Sequence, residues 1–238
     1  GRSGPEGKEF LQTFASHSLE QGKLALAENR LPEAIASFDA AIALVPDGQA
    51  AKAAQAEKAQ LYGRTKWKVA GKRDWERGSD GEWGADAKRI DGAYLVSEGD
   101  YENFVCEFEW MAEKPGAQGG LYFHYAGEGN PFDFGYKIHL AGDADQQGLD
   151  QYSTGALFGS DAPKKKVAKK NAWNKFRLTV VGPDTKVEIN DEVVLETDVP
   201  VSKAEPRGYL AIDGVGGSFR YRKILVYELK TPSAKRQE

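Results

Sequence analysis

Two short segments of the chain carry polar side chains that could perform acid–base chemistry. Glu107 and Glu109 are separated by one apolar residue. Lys137 and His139 have the same spacing, and His124 lies between the two pairs. Residues two apart in a strand share a face, with about 7 Å between their side-chain roots. Paired carboxylates can divide acid and base roles in glycoside cleavage, and imidazole suits proton transfer near neutral pH. We therefore predict Glu109, His124 and His139 as candidate catalytic residues that meet on one face.

The same segments contain candidate ligand-binding residues. We predict this role for a set of residues that can hydrogen-bond or stack on a sugar: Lys137, Tyr122, Tyr136 and Glu107. Tyr122 is two residues before His124, so the two side chains should lie on the same face of their strand. Aromatic rings stack on the apolar faces of sugars. The pattern also fits a plainer alternative, in which these side chains form a solvated sheet surface that holds no ligand.

The segments that carry these residues alternate as β-strands do. Every second residue from Phe104 to Trp110 is apolar, which is the period of a strand with one buried face. Asn190 and Asp191 lie between two apolar runs and predict a two-residue hairpin. Many short strands with turn signals and no intervening helices predict an all-β sandwich or barrel. The predicted boundaries are 63–72 for a linker, 73–230 for the sandwich and 231–238 for a disordered tail.

The first part of the chain has a different composition. Between Glu9 and Tyr62, Ala dominates together with Leu, Glu, Lys and Gln, and Gly is scarce. These residues are strong helix formers, so we predict a helical segment at 9–62. The predicted elements are a flexible leader at 1–8 and helices near 9–28, 31–44 and 48–62.

Small and apolar residues follow a repeat-like pattern in this helical segment. Gly22 and Ala34 stand where two packed helices must approach closely. Phe38 and Ala41 stand where apolar side chains fill the groove between helices, and Pro46 ends the unit. The segment resembles a tetratricopeptide repeat, a unit that needs neighbours to bury a continuous core. A peptide-binding groove for a protein partner and a plain helical spacer both remain open.

The composition argues against several classes of protein. The formal net charge is -4 and the pI is about 5.6, so we expect no nucleic-acid partner. The lysine run at 164–166, with Lys169 and Lys170, predicts a solvated loop. No apolar run reaches about 18 residues, so we expect no membrane span. The single cysteine, Cys106, falls on the buried face of its strand.

We predict no metal and no cofactor. The sequence has no phosphate loop, no dinucleotide fingerprint and no tight metal-ligand motif. Asp143, Asp145 and Asp213 could supply oxygen ligands for Ca²⁺, but Asp in such glycine-containing stretches more commonly forms turns.

Several motifs in the second part of the chain resemble a known family. In chain order they are Tyr101-Glu-Asn-Phe104, Gly119-Gly-Leu-Tyr-Phe-His124, Gly135-Tyr-Lys-Ile-His-Leu140, Thr154-Gly-Ala-Leu-Phe158, Trp173-Asn174 and Phe219-Arg-Tyr-Arg-Lys-Ile224. Their order and spacing resemble the 3-keto-disaccharide hydrolase family. The resemblance implies a concanavalin-like jelly roll of two antiparallel sheets. It also implies carbohydrate binding on the concave face of one sheet, hydrolysis of oxidised disaccharides by some members, and a bacterial exported protein in the periplasm or outside the cell.

The expected fold is therefore mostly β, a jelly-roll sandwich preceded by a helical, tetratricopeptide-like segment. The expected function is recognition of a carbohydrate at the concave face, with hydrolysis of a glycosidic bond as its enzymatic version. The alternative is a non-catalytic interaction module, in which the helices and the sandwich dock protein partners.

Overall fold

The computed structural model describes residues 5–62, 64–71, 75–78, 81–86, 93–145, 147–199, 207–215 and 218–229. The chain divides into two compact units, Gly1–Gly63 and Arg64–Glu238. The predicted tail at 231–238 and the first four residues of the predicted leader lie outside the described residues. No helix among the described residues is long and apolar enough to cross a membrane.

Three helices form the first unit: α1 (Pro5–Ala27), α2 (Leu31–Leu44) and α3 (Gln49–Leu61). The first helix begins earlier than the sequence predicts, because residues 5–8, which we assigned to the flexible leader, are helical. Pro32 lies in the first turn of α2, where its missing N–H costs no hydrogen bond.

The first two helices pack closely through one small residue. A Cβ at Gly22 would lie 2.4 Å from a ring carbon of Phe38, so α1 and α2 fit only because Gly22 has no side chain. Ala34, Phe38 and Ala41 are fully buried in the helical core, as the predicted groove requires. The three helices thus share one small apolar core, and the tetratricopeptide-like character of the unit stays a prediction.

The second unit consists of twelve strands and one short helix among the described residues. The strands before the helix are β1 (Trp67–Ala70), β2 (Trp75–Arg77), β3 (Trp83–Asp86), β4 (Tyr94–Tyr101), β5 (Phe104–Ala112) and β6 (Gln118–Tyr125). The helix α4 is Pro131–Phe134. The remaining strands are β7 (Tyr136–Ala141), β8 (Asn174–Val181), β9 (Asp184–Ile189), β10 (Glu192–Asp198), β11 (Gly208–Val215) and β12 (Ser218–Glu228). Since β1 pairs with β4, the predicted linker at 63–72 contains a strand of the sandwich.

The strands form two antiparallel sheets that enclose one core. The five-stranded sheet has the order β1-β4-β11-β6-β7, and the seven-stranded sheet has the order β10-β9-β8-β5-β12-β3-β2. Leu121 and Ile138 of the first sheet and Phe108 and Phe176 of the second belong to this core. The alternation predicted for β5 is confirmed, because its apolar residues are buried while Glu107 and Glu109 point to the other side.

The predicted hairpin at Asn190 and Asp191 is confirmed. Both residues have positive φ, at 52° and 67°, as a type I′ turn requires. The turn joins β9 to β10, in which Glu192 pairs with Ile189.

Candidate functional site

The register of three neighbouring strands brings polar residues together in the five-stranded sheet. Asp213 on β11 pairs with Gly120 on β6, and Gly120 pairs with His139 on β7. Two residues after Gly120 on β6, Tyr122 pairs with Lys137 on β7. Adjacent strands are about 4.8 Å apart, so this group spans about 10 Å. These five residues lie on the side opposite the core and define what we call the outer face of the five-stranded sheet.

Lys137 and Asp213 form a shielded ion pair on the outer face. The Lys137 Nζ donates to Asp213 Oδ2 at 2.8 Å, and the two side chains are 10% and 5% exposed. The Tyr122 hydroxyl donates to the same carboxylate oxygen at 3.2 Å. Among the described residues, Asp213 Oδ1 is buried and has no hydrogen-bond partner. The carboxylate therefore accepts two donors on one oxygen and retains capacity on the other.

Gly120 lets the Lys137 side chain cross the sheet to reach Asp213. A Cβ at Gly120 would lie 2.6 Å from Lys137 Cε and 2.4 Å from the carbonyl oxygen of Ile138. Real Cβ atoms do not approach other atoms so closely, so a larger residue at position 120 would displace the lysine.

Aromatic rings enclose the ion pair. The Lys137 Nζ lies 5.0 Å from the centroid of the Tyr122 ring and 5.6 Å from that of the Phe158 ring, within the range of cation–π attraction. Tyr94 on β4 makes an edge-to-face contact with Tyr122 at 5.8 Å, and its hydroxyl donates to Asn130 Oδ1 at 2.9 Å. The outer face thus has an apolar frame around a charged centre.

The segment after β7 extends this frame. The backbone N–H of Phe158 donates to the carbonyl of Lys137 at 2.9 Å, which fixes the segment along the edge of the sheet. The Phe158 ring lies 5.1 Å from the His139 ring and contacts Tyr152 and Phe132. Tyr152 and Phe132 are 50% and 54% exposed. These two exposed rings stand beside the polar centre, where a planar ligand surface could stack on them.

Burial sets the protonation states on the outer face. Burial, followed by the nearby charge of Lys137, lowers the pKa of His139 to about 3, so its imidazole is neutral at neutral pH. Burial and the Asp213 carboxylate raise the pKa of Tyr94 to about 12. The same two causes raise the pKa of Tyr122 well above its ordinary value. Both tyrosines therefore remain hydroxyl donors.

The predicted carboxylates do not belong to this group. Glu107 and Glu109 lie on β5, in the seven-stranded sheet, on its side away from the core. Glu107 pairs with Arg177 at 3.0 Å, and Arg222 and Lys223 reach Glu109 at 2.6 and 2.7 Å. Burial alone would raise the pKa of Glu109, but the hydrogen bonds from Lys223 and Arg222 bring it below its ordinary value. The prediction that the glutamates share a face with the histidines is wrong, because the two sheets separate them.

A bulge removes His124 from the outer face. His124 has a φ of 51°, and the pairing of β6 with β11 shifts register next to it. Its Nε2 lies 3.1 Å from the carbonyl oxygen of Glu102, and its ring contacts the core residue Phe104. Burial lowers its pKa, although the contact with Glu102 opposes that shift. Tyr125 clusters with Tyr122 in its place, so the predicted parity of His124 and Tyr122 is wrong.

Tyr136, a predicted ligand-binding residue, packs in the core. It belongs to the cluster between the sheets and lies 5.7 Å from the Phe123 ring. Strand alternation explains this placement, because Tyr136 and Ile138 share a face and Lys137 and His139 share the other.

The sequence does not reveal Asp213 of the outer face, nor two rings of its aromatic frame, Tyr94 and Phe158. The sequence favours a turn at Asp213, but this residue lies inside strand β11 and is only 4% exposed. A signal existed, because Asp213 directly follows the apolar run Tyr-Leu-Ala-Ile, where a charged residue needs a partner. Nothing in the sequence indicated that its partner is Lys137.

The architecture and site define a jelly-roll β-sandwich with a polar, aromatic-framed sheet face. The family model of the 3-keto-alpha-glucoside-1,2-lyase-like domain matches residues 61–227 of the 238. The chain belongs to this family, and the predicted resemblance to the 3-keto-disaccharide hydrolases is confirmed. A search of curated proteins finds no significant match.

Solved structures share the jelly-roll fold at low sequence identity. A predicted glycosyl hydrolase from Parabacteroides distasonis is 19% identical with a TM-score of 0.55, and the match covers 69% of this chain and 100% of that one. A second from the same organism is 17% identical with a TM-score of 0.56, covering 69% and 88%. The carbohydrate-binding module CBM66 from Bacillus subtilis is 15% identical with a TM-score of 0.50, covering 69% and 96%. These likenesses establish the fold, and the predicted jelly-roll sandwich is confirmed.

Proposed function

We propose that the outer face of the five-stranded sheet is a carbohydrate-binding site. The observation that carries the proposal is the convergence of Lys137 and Tyr122 on the Asp213 carboxylate, inside a frame of aromatic rings. Charged and hydroxyl groups of this kind hydrogen-bond to sugar hydroxyls, and the rings offer stacking surfaces. Membership in a family named for ketoglucosides supports a sugar as the ligand.

The residues of the outer face take distinct roles in this proposal. Lys137 presents a donor to a sugar hydroxyl, Asp213 holds its ammonium group in place, and Tyr122 in turn holds the carboxylate. Phe158 and the exposed Tyr152 stack on the sugar ring. The concave face expected from the resemblance corresponds in this proposal to the outer face of the five-stranded sheet.

We propose binding, not bond cleavage, as the primary activity. His139 is the one predicted catalytic residue on the outer face, and with a pKa of about 3 it is a weak base at neutral pH. Glu109 lies on the other sheet, with its carboxylate bound by Arg222 and Lys223. Product analysis after incubation with each bound sugar tests for cleavage directly.

The experiment is a binding screen with a matched pair of variants. The full chain is titrated in a calorimeter with disaccharides, their 3-keto forms and uronic acids. Lys137→Met should weaken binding of the sugar by about tenfold, because it removes a charged hydrogen-bond donor. Lys175→Met is the control, because it removes the same charge from an exposed pair with Asp191 on the other sheet. Absence of binding to every sugar, or equal weakening by both variants, would exclude the outer face as the site.

Partner binding through the helical unit stays a second proposal. Phe10 and Phe14 on α1 are 55% and 49% exposed, and their rings lie 4.5 Å apart. Exposed paired aromatics of this kind suit contact with another protein. Removal of residues 1–62 should leave sugar binding unchanged if the sandwich is the binding unit. We also propose export to the periplasm or beyond, which fractionation of expressing cells tests.

A further inference from the structure

The polar centre of the outer face is closed to a ligand. His139 is 2% exposed, and the Lys137 side chain is 10% exposed. The two residues lie on the same face of β7, with about 7 Å between their side-chain roots. The proposed sugar site therefore offers almost no polar surface until the group that covers these two side chains is displaced.

His139 carries a buried polar atom that needs a partner. Its Nδ1 is shielded from solvent and, within the described part of the chain, makes no hydrogen bond. An unpaired buried polar group is costly, and most such atoms in proteins are satisfied. A neutral imidazole nitrogen donates or accepts according to its tautomer, and a hydroxyl group can do either. A sugar hydroxyl is therefore a suitable partner for His139 Nδ1.

The Phe158 ring covers both side chains. Its centroid lies 5.1 Å from that of the His139 ring and 5.6 Å from Lys137 Nζ. Lys137 has a stronger partner in Asp213, whose carboxylate accepts from Nζ at 2.8 Å. The contact between the ammonium group and the Phe158 ring is thus the weaker of these two interactions, and it can be lost while the ion pair remains.

The backbone at Phe158 is fixed, whereas its side chain borders solvent. The Phe158 N–H donates to the carbonyl of Lys137 at 2.9 Å, which holds the backbone against β7. The ring contacts Phe132 and Tyr152, which are 54% and 50% exposed. The space at the next residue is open, since a Cβ at Gly159 would meet no atom within 4 Å. A change of rotamer can therefore carry the ring outward without breaking the contact with the sheet.

We propose that the Phe158 side chain is a lid on the sugar site proposed above, and that the site binds its ligand only when the ring has rotated outward. One hydroxyl group of the sugar then bonds to His139 Nδ1, and a neighbouring hydroxyl accepts from the Lys137 ammonium group. In its outward position the Phe158 ring lies beside the ligand and stacks on it. His139 is thus a binding residue of the open site, although it is buried in the closed one.

Histidine labelling of the full chain tests the lid without a ligand. Diethyl pyrocarbonate acylates accessible imidazole nitrogens, and cleavage after Lys137 places His139 and His124 in separate peptides for mass spectrometry. The exposed His17 serves as the reference. His139 should be labelled through local opening, so its rate should stay constant in urea below the unfolding transition. This measurement needs no variant.

A matched pair of variants tests whether Phe158 is the cover. Phe158→Ala should raise the labelling rate of His139 by about tenfold or more, because an open state populated at about 10% or less becomes permanent. Phe134→Ala is the control, because it removes a ring of α4 that is 50% exposed and lies outside the cluster of Phe158, Phe132 and Tyr152. It should change the rate by less than about twofold. A sugar that binds in the calorimetric screen should slow the labelling of His139 and leave that of His17 unchanged.

The outcomes separate the lid from the sugar site. Labelling of His139 only through global unfolding, or an equal rate in the Phe158→Ala and Phe134→Ala proteins, would overturn the lid. If sugar binding is nevertheless weakened by Lys137→Met, the proposed sugar site stands without a lid. If His139 is labelled through local opening but no sugar binds, the lid stands and the proposed function fails. A bound sugar that leaves the labelling of His139 unchanged would overturn its role as a binding residue.

Discussion

Breaking the ion pair between Lys137 and Asp213 should strongly destabilise the sandwich. Lys137→Met would leave Asp213, which is 4% exposed, with one hydroxyl donor at 3.2 Å and a second oxygen that has no partner. Removing one member of a buried pair costs about 3–5 kcal/mol, because the remaining charge is uncompensated. For a unit the size of Arg64–Glu238, this corresponds to a decrease in melting temperature of about 6–20 °C.

Removal of both charges should cost much less than removal of one. In Lys137→Met/Asp213→Asn no buried charge remains, so we expect a loss of no more than about 1–2 kcal/mol. The double-mutant cycle, completed with Asp213→Asn alone, should therefore give a coupling energy of at least about 2 kcal/mol.

Tryptophan fluorescence during urea denaturation measures these free energies in the full chain. All five tryptophans lie after residue 63, so their emission reports unfolding of the sandwich and not of the helices. A loss below about 1 kcal/mol in Lys137→Met would refute the reasoning, because it would show that solvent screens the pair as it does at a protein surface. A coupling energy near zero would refute it as well.

Three further predictions concern a buried histidine, a carboxylate and a helix contact. Because the pKa of His139 is lowered to about 3, the unfolded chain binds a proton below pH 6.5 that the folded chain does not. The free energy of unfolding should therefore fall by about 2 kcal/mol between pH 6.5 and pH 5, and His139→Asn should lose that part of the pH dependence in urea titrations. Glu109→Gln should leave sugar affinity unchanged in calorimetry, because Glu109 lies on the other sheet. Gly22→Ala should destabilise the helical unit by about 1–3 kcal/mol, measured by circular dichroism, because its Cβ would meet the Phe38 ring at 2.4 Å.

Each of these experiments has an internal control. The same pH slope in His139→Asn as in the unaltered chain would contradict the first prediction. Loss of sugar binding in a Glu109→Gln protein that remains folded would show that Glu109 belongs to the binding site, and would contradict the second prediction. An exposed glycine replaced by alanine in a helix usually gains about 1 kcal/mol, so stabilisation by Gly22→Ala would contradict close packing. Adding Phe38→Leu should recover part of the loss if the ring is the obstacle.

The local structure of the chain could be predicted from its sequence. The alanine-rich composition indicated three helices, and Gly22 with Phe38 indicated where two of them pack. The Asn190-Asp191 pair identified a hairpin, and the apolar alternation from Phe104 identified the inner face of β5. These features depend on residues that are close in the chain or on a simple period, so they can be read without knowledge of the tertiary structure.

Only the tertiary structure decided which residues come together in the candidate site. Alternation shows which residues of one strand share a face, but it does not show which sheet the strand joins. The pairing of β5 with β8 and β12 placed Glu109 on one sheet, while the pairing of β6 with β7 and β11 placed Tyr122 and Lys137 on the other. A single bulge at His124 reversed the parity of one predicted residue. Asp213 lies in the site although its strand is distant in the sequence. Long-range contacts set the register between strands, and no local sequence pattern encodes that register.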